Sequence, residues 1–147
     1  FVLNLDAAGG MKQKGVVVHK FPLWEKRIQE WLEEMELDYP VGQKMNAYSD
    51  HFPFTLRGIP TAEMADPLGS GGRGVTHSPY DTLDKVSSLS LKEAAGLASL
   101  LIYRLAQSPK DLFSKRSAEE MQQILDTDPD LEGFRIQRQL DKEMDSL

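Results

Sequence analysis

The chain has 147 residues, of which 40% are hydrophobic, 8 are proline and 11 glycine, enough apolar material for one packed domain and too much for wholesale disorder. Lys and Arg total 17 against 23 Asp and Glu, and the net charge of -6 repels phosphate backbones and anionic lipid, so nucleic acid is not an expected partner. There is no cysteine, which excludes disulfides and thiolate metal sites and leaves His, Asp, Glu or main-chain oxygen to hold any metal.

The opening run Phe1-Val2-Leu3-Asn4-Leu5 reads as a strand, ended by Asp6-Ala7-Ala8-Gly9-Gly10, where small residues and glycines permit turns. The chain begins inside this core-like run, with neither an initiator Met nor the flanks of a signal peptide, so it is expected to be part of something larger. Val16-Val17-Val18 reads as a second short buried strand. Pro22 suits the first position of a helix, and Trp24, Ile28, Trp31, Leu32 and Met35 recur at helical spacing down to about Leu37, with an acidic outer face.

From Asp38 to Pro60 the chain is expected to be irregular, rich in the aromatics Tyr39, Tyr48, Phe52 and Phe54, and it leads into a strand over Ile59-Pro60-Thr61-Ala62-Glu63-Met64. The run Gly69-Ser70-Gly71-Gly72-Arg73-Gly74 has the glycines of a phosphate-binding loop but neither the Lys-Ser/Thr ending nor a helix directly behind it. Ser90 and Glu93 have the spacing of a capping box for a helix with the stripe Leu91, Ala94, Ala95, Ala98, Leu101, Ile102 and Leu105. The longest apolar stretch, Leu97 to Leu105, is broken by Ser99 and Arg104 and falls short of the roughly 20 residues of a membrane span. Beyond Pro109 the composition turns polar, with Ser117 and Glu120 capping a short helix and Leu131, Phe134, Leu140 and Met144 dotting a charged segment.

This order of elements predicts an α/β fold of three layers, α/β/α, in which three strands form part of a mixed central sheet flanked by helices. The expected organisation is a body over residues 1–107 and a polar helical tail over 108–147.

Three histidines carry most of the candidate chemistry. His51 lies in Ser49-Asp50-His51-Phe52-Pro53-Phe54 and His77 in Thr76-His77-Ser78-Pro79-Tyr80-Asp81-Thr82-Leu83-Asp84-Lys85. Each has a carboxylate close to its imidazole, as metal sites do when a second group fixes the tautomer of a ligating ring, although for either histidine taken alone a surface or hydrogen-bonded structural role outweighs ligation. His19, between Val18 and Lys20 at a strand end, is read as structural. Asp6 follows an apolar strand directly, the place where open α/β sheets present site residues, with turn capping as the alternative.

Four segments, taken in order, resemble the co-catalytic zinc aminopeptidases of clan MH, whose relatives include glutamate carboxypeptidases, glutaminyl cyclases and the transferrin-receptor ectodomain. Asn4-Leu5-Asp6 with its glycines resembles the strand bearing a zinc-binding aspartate, Ser49-Asp50-His51-Phe52-Pro53-Phe54 the family's Ser-Asp-His segment, and Gly58-Ile59-Pro60 its Gly-Ile/Val-Pro strand entry. His77-Ser78-Pro79-Tyr80-Asp81-Thr82-Leu83-Asp84 resembles the His-Thr-x-x-Asp-Thr-x-Asp signature ahead of the last helix, with Ser78 where the family usually has Thr. The resemblance covers about residues 1 to 107.

By that resemblance the intact protein is a two-zinc aminopeptidase acting on peptide substrates. Asp6 and His77 would be metal ligands, Asp50 and His51 a supporting pair, and Asp81 a brace for the loop of His77. Phe52, Phe54 and Tyr80 would line a pocket for the first side chain. The other ligands and a general-base glutamate would lie in a missing N-terminal half, so the chain alone is expected to bind zinc weakly or not at all, to be inactive, and to self-associate through an exposed sheet edge. A metal-free binding domain and an aminoacyltransferase resembling glutaminyl cyclase are the alternatives within the same resemblance.

Overall fold

The computed structural model describes residues 1–6, 8–10, 14–65, 67, 75 and 77–145, without the side chains of Glu143 and Asp145. The glycine-rich run 69–74 and Thr76 lie outside the described residues. Four strands form one mixed sheet in the order β1-β4-β2-β3, where β1 is Val2–Asn4, β2 Gly15–Val18, β3 Val41–Gln43 and β4 Thr61–Ala65. β4 runs parallel to β1 and antiparallel to β2, and β3 runs parallel to β2.

The three expected strands are present, and the fourth corrects the expectation of an irregular stretch from Asp38 to Pro60. β3 is only Val41-Gly42-Gln43, too short for any alternation to show; it pairs with β2 because a tight approach brings the chain there. A Cβ on Gly15 would lie 2.1 Å from the Pro40 carbonyl oxygen, so only glycine lets these segments meet. The same stretch holds a one-turn helix, α2, at Phe52–Thr55.

Alternation divides the sheet into two unlike faces. Val16, Val18, Ala62 and Met64 face one way, where they form a core with Trp24, Ile28, Trp31 and Leu32 of α1 (Pro22–Glu34) and Ala94, Leu97 and Leu101 of α3 (Ser88–Gln107). The Trp24 ring meets Phe1 edge-on at 4.8 Å and also touches Trp31 and Phe113. The residues between, His19, Thr61 and Glu63, face the other way, towards α2.

α3 starts three residues earlier than the sequence suggests. Its cap is Ser87, whose Oγ accepts the Ser90 amide at 3.1 Å, so Ser90 and Glu93 do not form the expected box. The buried face is correspondingly Ser90, Ala94, Leu97, Ala98 and Leu101, and Leu91, Ala95 and Ile102 point outward.

The segment after Pro109 is helical. α4 (Ala118–Thr127) opens with the capping box of Ser117 and Glu120, and α5 spans Glu132–Asp145. Leu131 is wholly buried with Met45 and Phe52, and Ile124, Leu125 and Phe134 pack around them, so this segment covers α2. Polar ties reinforce the contact. Lys20 reaches Asp128 and Asp130, each at 3.1 Å, Asp130 also accepts the Met45 amide at 3.0 Å, and an Arg116 guanidinium N–H donates to the Lys20 carbonyl. At Gly58, where φ is +72°, a Cβ would come within 2.3 Å of the Arg116 carbonyl oxygen, so glycine is needed both for its conformation and for the close approach.

Candidate functional site

On the second face of the sheet Glu63 of β4 and His19, the residue after β2, meet His51, which enters on the turn before α2. Both rings are fully buried and stack at 3.8 Å with planes 6° apart. The Glu63 carboxylate lies against both, with Oε1 3.8 Å from His19 Nε2 and Oε2 3.9 Å from His51 Nδ1. The Asn46 side-chain amide donates to the same carboxylate at 3.1 and 3.3 Å.

Burial alone would raise the Glu63 carboxyl, but the neighbouring His19 and the Asn46 amide outweigh it and hold it below the ordinary range, so it is ionised at neutral pH. Burial, followed by the adjacent His19, pushes His51 below the ordinary histidine range and keeps its ring neutral. A chain of hydroxyls ties the group to the backbone. His19 Nδ1 contacts Thr61 Oγ1 at 3.0 Å, Thr61 Oγ1 contacts Thr55 Oγ1 at 2.7 Å, and Thr55 Oγ1 donates to the His51 carbonyl at 3.2 Å. His19 Nε2, wholly buried, has no hydrogen-bond partner among the described residues.

Donor atoms of His19, His51 and Glu63 all lie within 4.8 Å of one another, and imidazole and carboxylate are the ligand types zinc accepts. A ring nitrogen binds metal in the plane of its ring, however, and two rings stacked 6° from parallel at 3.8 Å aim their lone pairs along separate planes. One ion could be shared only if a ring left the stack. As folded, the group is a hydrogen-bonded interior cluster and not a metal cage.

Asp6 lies just beyond β1 and is exposed, and its Oδ2 accepts a hydrogen bond from Ser49 Oγ at 2.8 Å. Ser49 Oγ in turn accepts from Asn4 Nδ2 at 2.7 Å, and the same Nδ2 lies 3.4 Å from His51 Nδ1. The Asn-Leu-Asp and Ser-Asp-His segments, 43 residues apart at Asp6 and Ser49, are thus one hydrogen-bonded unit. An oxygen ligand whose second contact fixes its orientation suits a metal, and the exposure of Asp6 leaves room for one.

His77 is exposed on the far loop and its backbone sits at φ +61°, a left-handed conformation uncommon for a non-glycine residue and frequent where a side chain must be aimed. Ser78 organises that loop: its Oγ donates to the Val75 carbonyl at 2.6 Å and accepts the Tyr80 amide at 3.2 Å, and its carbonyl accepts the Asp81 amide at 3.0 Å. The loop after β1 touches the end of this segment, because the Ser87 amide donates to the Gly9 carbonyl at 3.1 Å and Gly9 abuts Val86 and Leu91. Asp50, Phe54 and Tyr80 are exposed, whereas Phe52 is buried between Met45 and Leu131 with Phe134 edge-on at 5.0 Å.

Glu63 escaped sequence reading, whereas His19, read as structural, is buried and hydrogen-bonded, and only its partners were not foreseen. Glu63 sits in an otherwise uncharged strand segment, Thr61-Ala62-Glu63-Met64, and a lone carboxylate at an inward position is a signal for a buried partner. His19 continues the alternation of Val16, Val17 and Val18 onto the same face, and nothing in the sequence says that face is covered.

No curated protein and no solved structure matches the chain. A family model matches residues 1–102, the stretch that holds all four strands, the buried cluster, Asp6, His77 and most of α3. The chain therefore belongs to peptidase family M28.

Proposed function

We propose that this chain supplies Asp6 and His77 as two protein ligands of a two-zinc aminopeptidase site, completed by ligands and a general-base glutamate from residues outside these 147. The observation that carries the reading is the Asn4–Ser49–Asp6 hydrogen-bond unit, which gives an exposed carboxylate at a strand end a set orientation. Zinc bound there would polarise a peptide carbonyl and make the attacking water more acidic. Ser49 holds the Asp6 carboxylate, Ser78 shapes the loop of His77, and Asp50 and Asp81 flank the two motifs. The exposed rings of Phe54 and Tyr80 are the aromatic surface available to the first side chain of a peptide.

Two ligands fall short of the three protein ligands a catalytic zinc usually keeps, so the 147-residue chain by itself binds zinc weakly and does not hydrolyse peptides. Two features support a complementary segment. Among the described residues β1 pairs only with β4, leaving its other edge open, and Leu91 and Ile102 of α3 are exposed. Left without that segment, the same edge favours self-association. Among the described residues no helix is long and apolar enough to cross a membrane.

The test is metal content and hydrolysis of an aminoacyl amide by the full-length protein containing this chain. Asp6→Asn and His77→Gln should each lower activity by more than the roughly 10–100-fold that loss of an outer partner costs, with loss of zinc. Full activity and two zincs in both variants would overturn the proposal. A single zinc in the unmodified protein would favour the cyclase-like reading, and none the metal-free one.

A further inference from the structure

We infer that the buried His51 is a positioning residue for Asp6, acting through Asn4 and Ser49, so that the tautomer of a ring in the protein interior sets the direction in which an exposed carboxylate points. The inference rests on the reading of Asp6 as a metal ligand for its purpose, and on hydrogen-bond direction for its mechanism.

His51 Nε2 lies 2.9 Å from the Asn46 carbonyl oxygen, which can only accept, so Nε2 carries the ring proton and Nδ1 of the neutral ring is a bare acceptor. Asn4 must then present its amide N–H to that nitrogen, 3.4 Å away, and the other N–H of the same group reaches Ser49 Oγ at 2.7 Å. Having accepted from Asn4, Ser49 directs its one hydroxyl proton to Asp6 Oδ2 at 2.8 Å. Turning the Asn4 amide over would face its oxygen against the bare Nδ1 and draw the Ser49 proton away from Asp6. The lone pair on His51 therefore selects one orientation of Asn4, and that orientation selects the donor direction of Ser49.

Asp6 is exposed, so packing does not fix its side chain. The Glu63 carboxylate, the His19 stack and the Asn46 carbonyl surround His51 and hold the ring in place at the head of this chain.

The test uses the metal-free 147-residue chain and three-bond NMR couplings to Asp6 Cγ, which report its χ1 rotamer. The expected result is one rotamer in the unaltered chain and its loss to averaged couplings in Ser49→Ala. His51→Gln keeps a donor near the Nε2 position but lacks the acceptor, so it should also give averaged couplings. His51→Asn places an oxygen near Nδ1 and should keep the single rotamer. Asn4→Leu, which keeps shape and removes the amide, should behave as His51→Gln does. Each variant's amide spectrum reports whether it is folded.

Averaged couplings in the unaltered chain, an unchanged rotamer in folded Asn4→Leu or His51→Gln, or equal behaviour of the Gln and Asn variants at position 51 would overturn the inference. A purely structural role for His51 predicts that last result. Failure of the zinc reading appears in metal uptake and failure of the positioning chain in these couplings, so the two are separable.

Discussion

His51 and His77 occupy segments that look alike in sequence, each with an aspartate close by, yet the fold places them in opposite conditions. His51 is enclosed, stacked on His19 and faced by an ionised carboxylate, with its proton assigned by a backbone carbonyl. His77 is exposed, on a backbone turned to φ +61°. A buried histidine has its chemistry determined by its partners and contributes to folding. An exposed one in a strained turn contributes little to stability and has its lone pair available to a ligand. Stability measurements and metal uptake should therefore respond to different residues.

The largest separation should come from removing residues 118–147, which leaves Phe113 on Trp24 of α1. That deletion strips Leu131 from Met45 and Phe52, frees Lys20 from Asp128 and Asp130, and leaves the Met45 amide without its acceptor. Re-exposing two large apolar side chains and these polar groups should cost on the order of 4–5 kcal/mol. The segment 45–52, which carries Asn46, Ser49 and His51, should lose hydrogen-exchange protection before α1 does. Equal protection in both would mean that residues 118–147 do not support the cluster.

Glu63→Ala comes next. It leaves the Asn46 amide and two buried rings without the carboxylate they surround, a loss of about 3 kcal/mol by urea denaturation. Thr61→Val, which keeps shape but breaks the hydroxyl chain between His19 and Thr55, should cost about 1–2 kcal/mol. If either value is near zero, the cluster is not the interior anchor described above.

The pH dependence sharpens the same contrast. His51 titrates lower in the folded chain than unfolded, so the folded state binds fewer protons and stability should fall as pH drops below the ordinary histidine value of about 6.5. Glu63, also lowered, contributes stability that is present above the ordinary glutamate value of about 4.3 and lost as pH falls through the folded value. Two successive losses on acidification are expected in urea midpoints measured from pH 7 downward. Glu63→Gln should shrink the lower loss to what Asp130, also held below its ordinary value, contributes and keep the upper one, and a lower loss of undiminished size in that variant would count against the assignment.

How much of this was open to sequence reading follows from range. α1 was legible because Pro22 and the spacing of Trp24, Ile28, Trp31 and Leu32 are local properties, and the box of Ser117 and Glu120 because its partners are three residues apart. β1, β2 and β4 were legible as apolar runs, whereas three-residue β3 depends on the close approach of Pro40 to Gly15, which no local pattern records. Asp6, Ser49 and His51 were legible as motifs, but their connection through Asn4 was not, since it depends on register between segments more than 40 residues apart. The stack of His19 on His51 with Glu63 was hidden for the same reason: each residue alone is an isolated polar position, and only the sheet brings β2 and β4 side by side.

The smallest effect on folding should come from His77 itself, and it separates the two histidines most sharply. At φ +61° a glycine is under no Cβ strain, so His77→Gly relieves up to about 1 kcal/mol in the folded chain. Glycine also makes the unfolded chain more flexible, which offsets about 0.4–1 kcal/mol of that gain. The net change in stability should lie within about 0.5 kcal/mol of zero, because the exposed side chain takes little packing with it. On the proposed reading zinc uptake by the full-length protein should nevertheless be lost, since the proposed ligand is gone while its loop, tied by Ser78 to Val75 and Tyr80, stays in place. A marked loss of stability on this substitution would place His77 with His51 among the folding residues and remove it from the metal site.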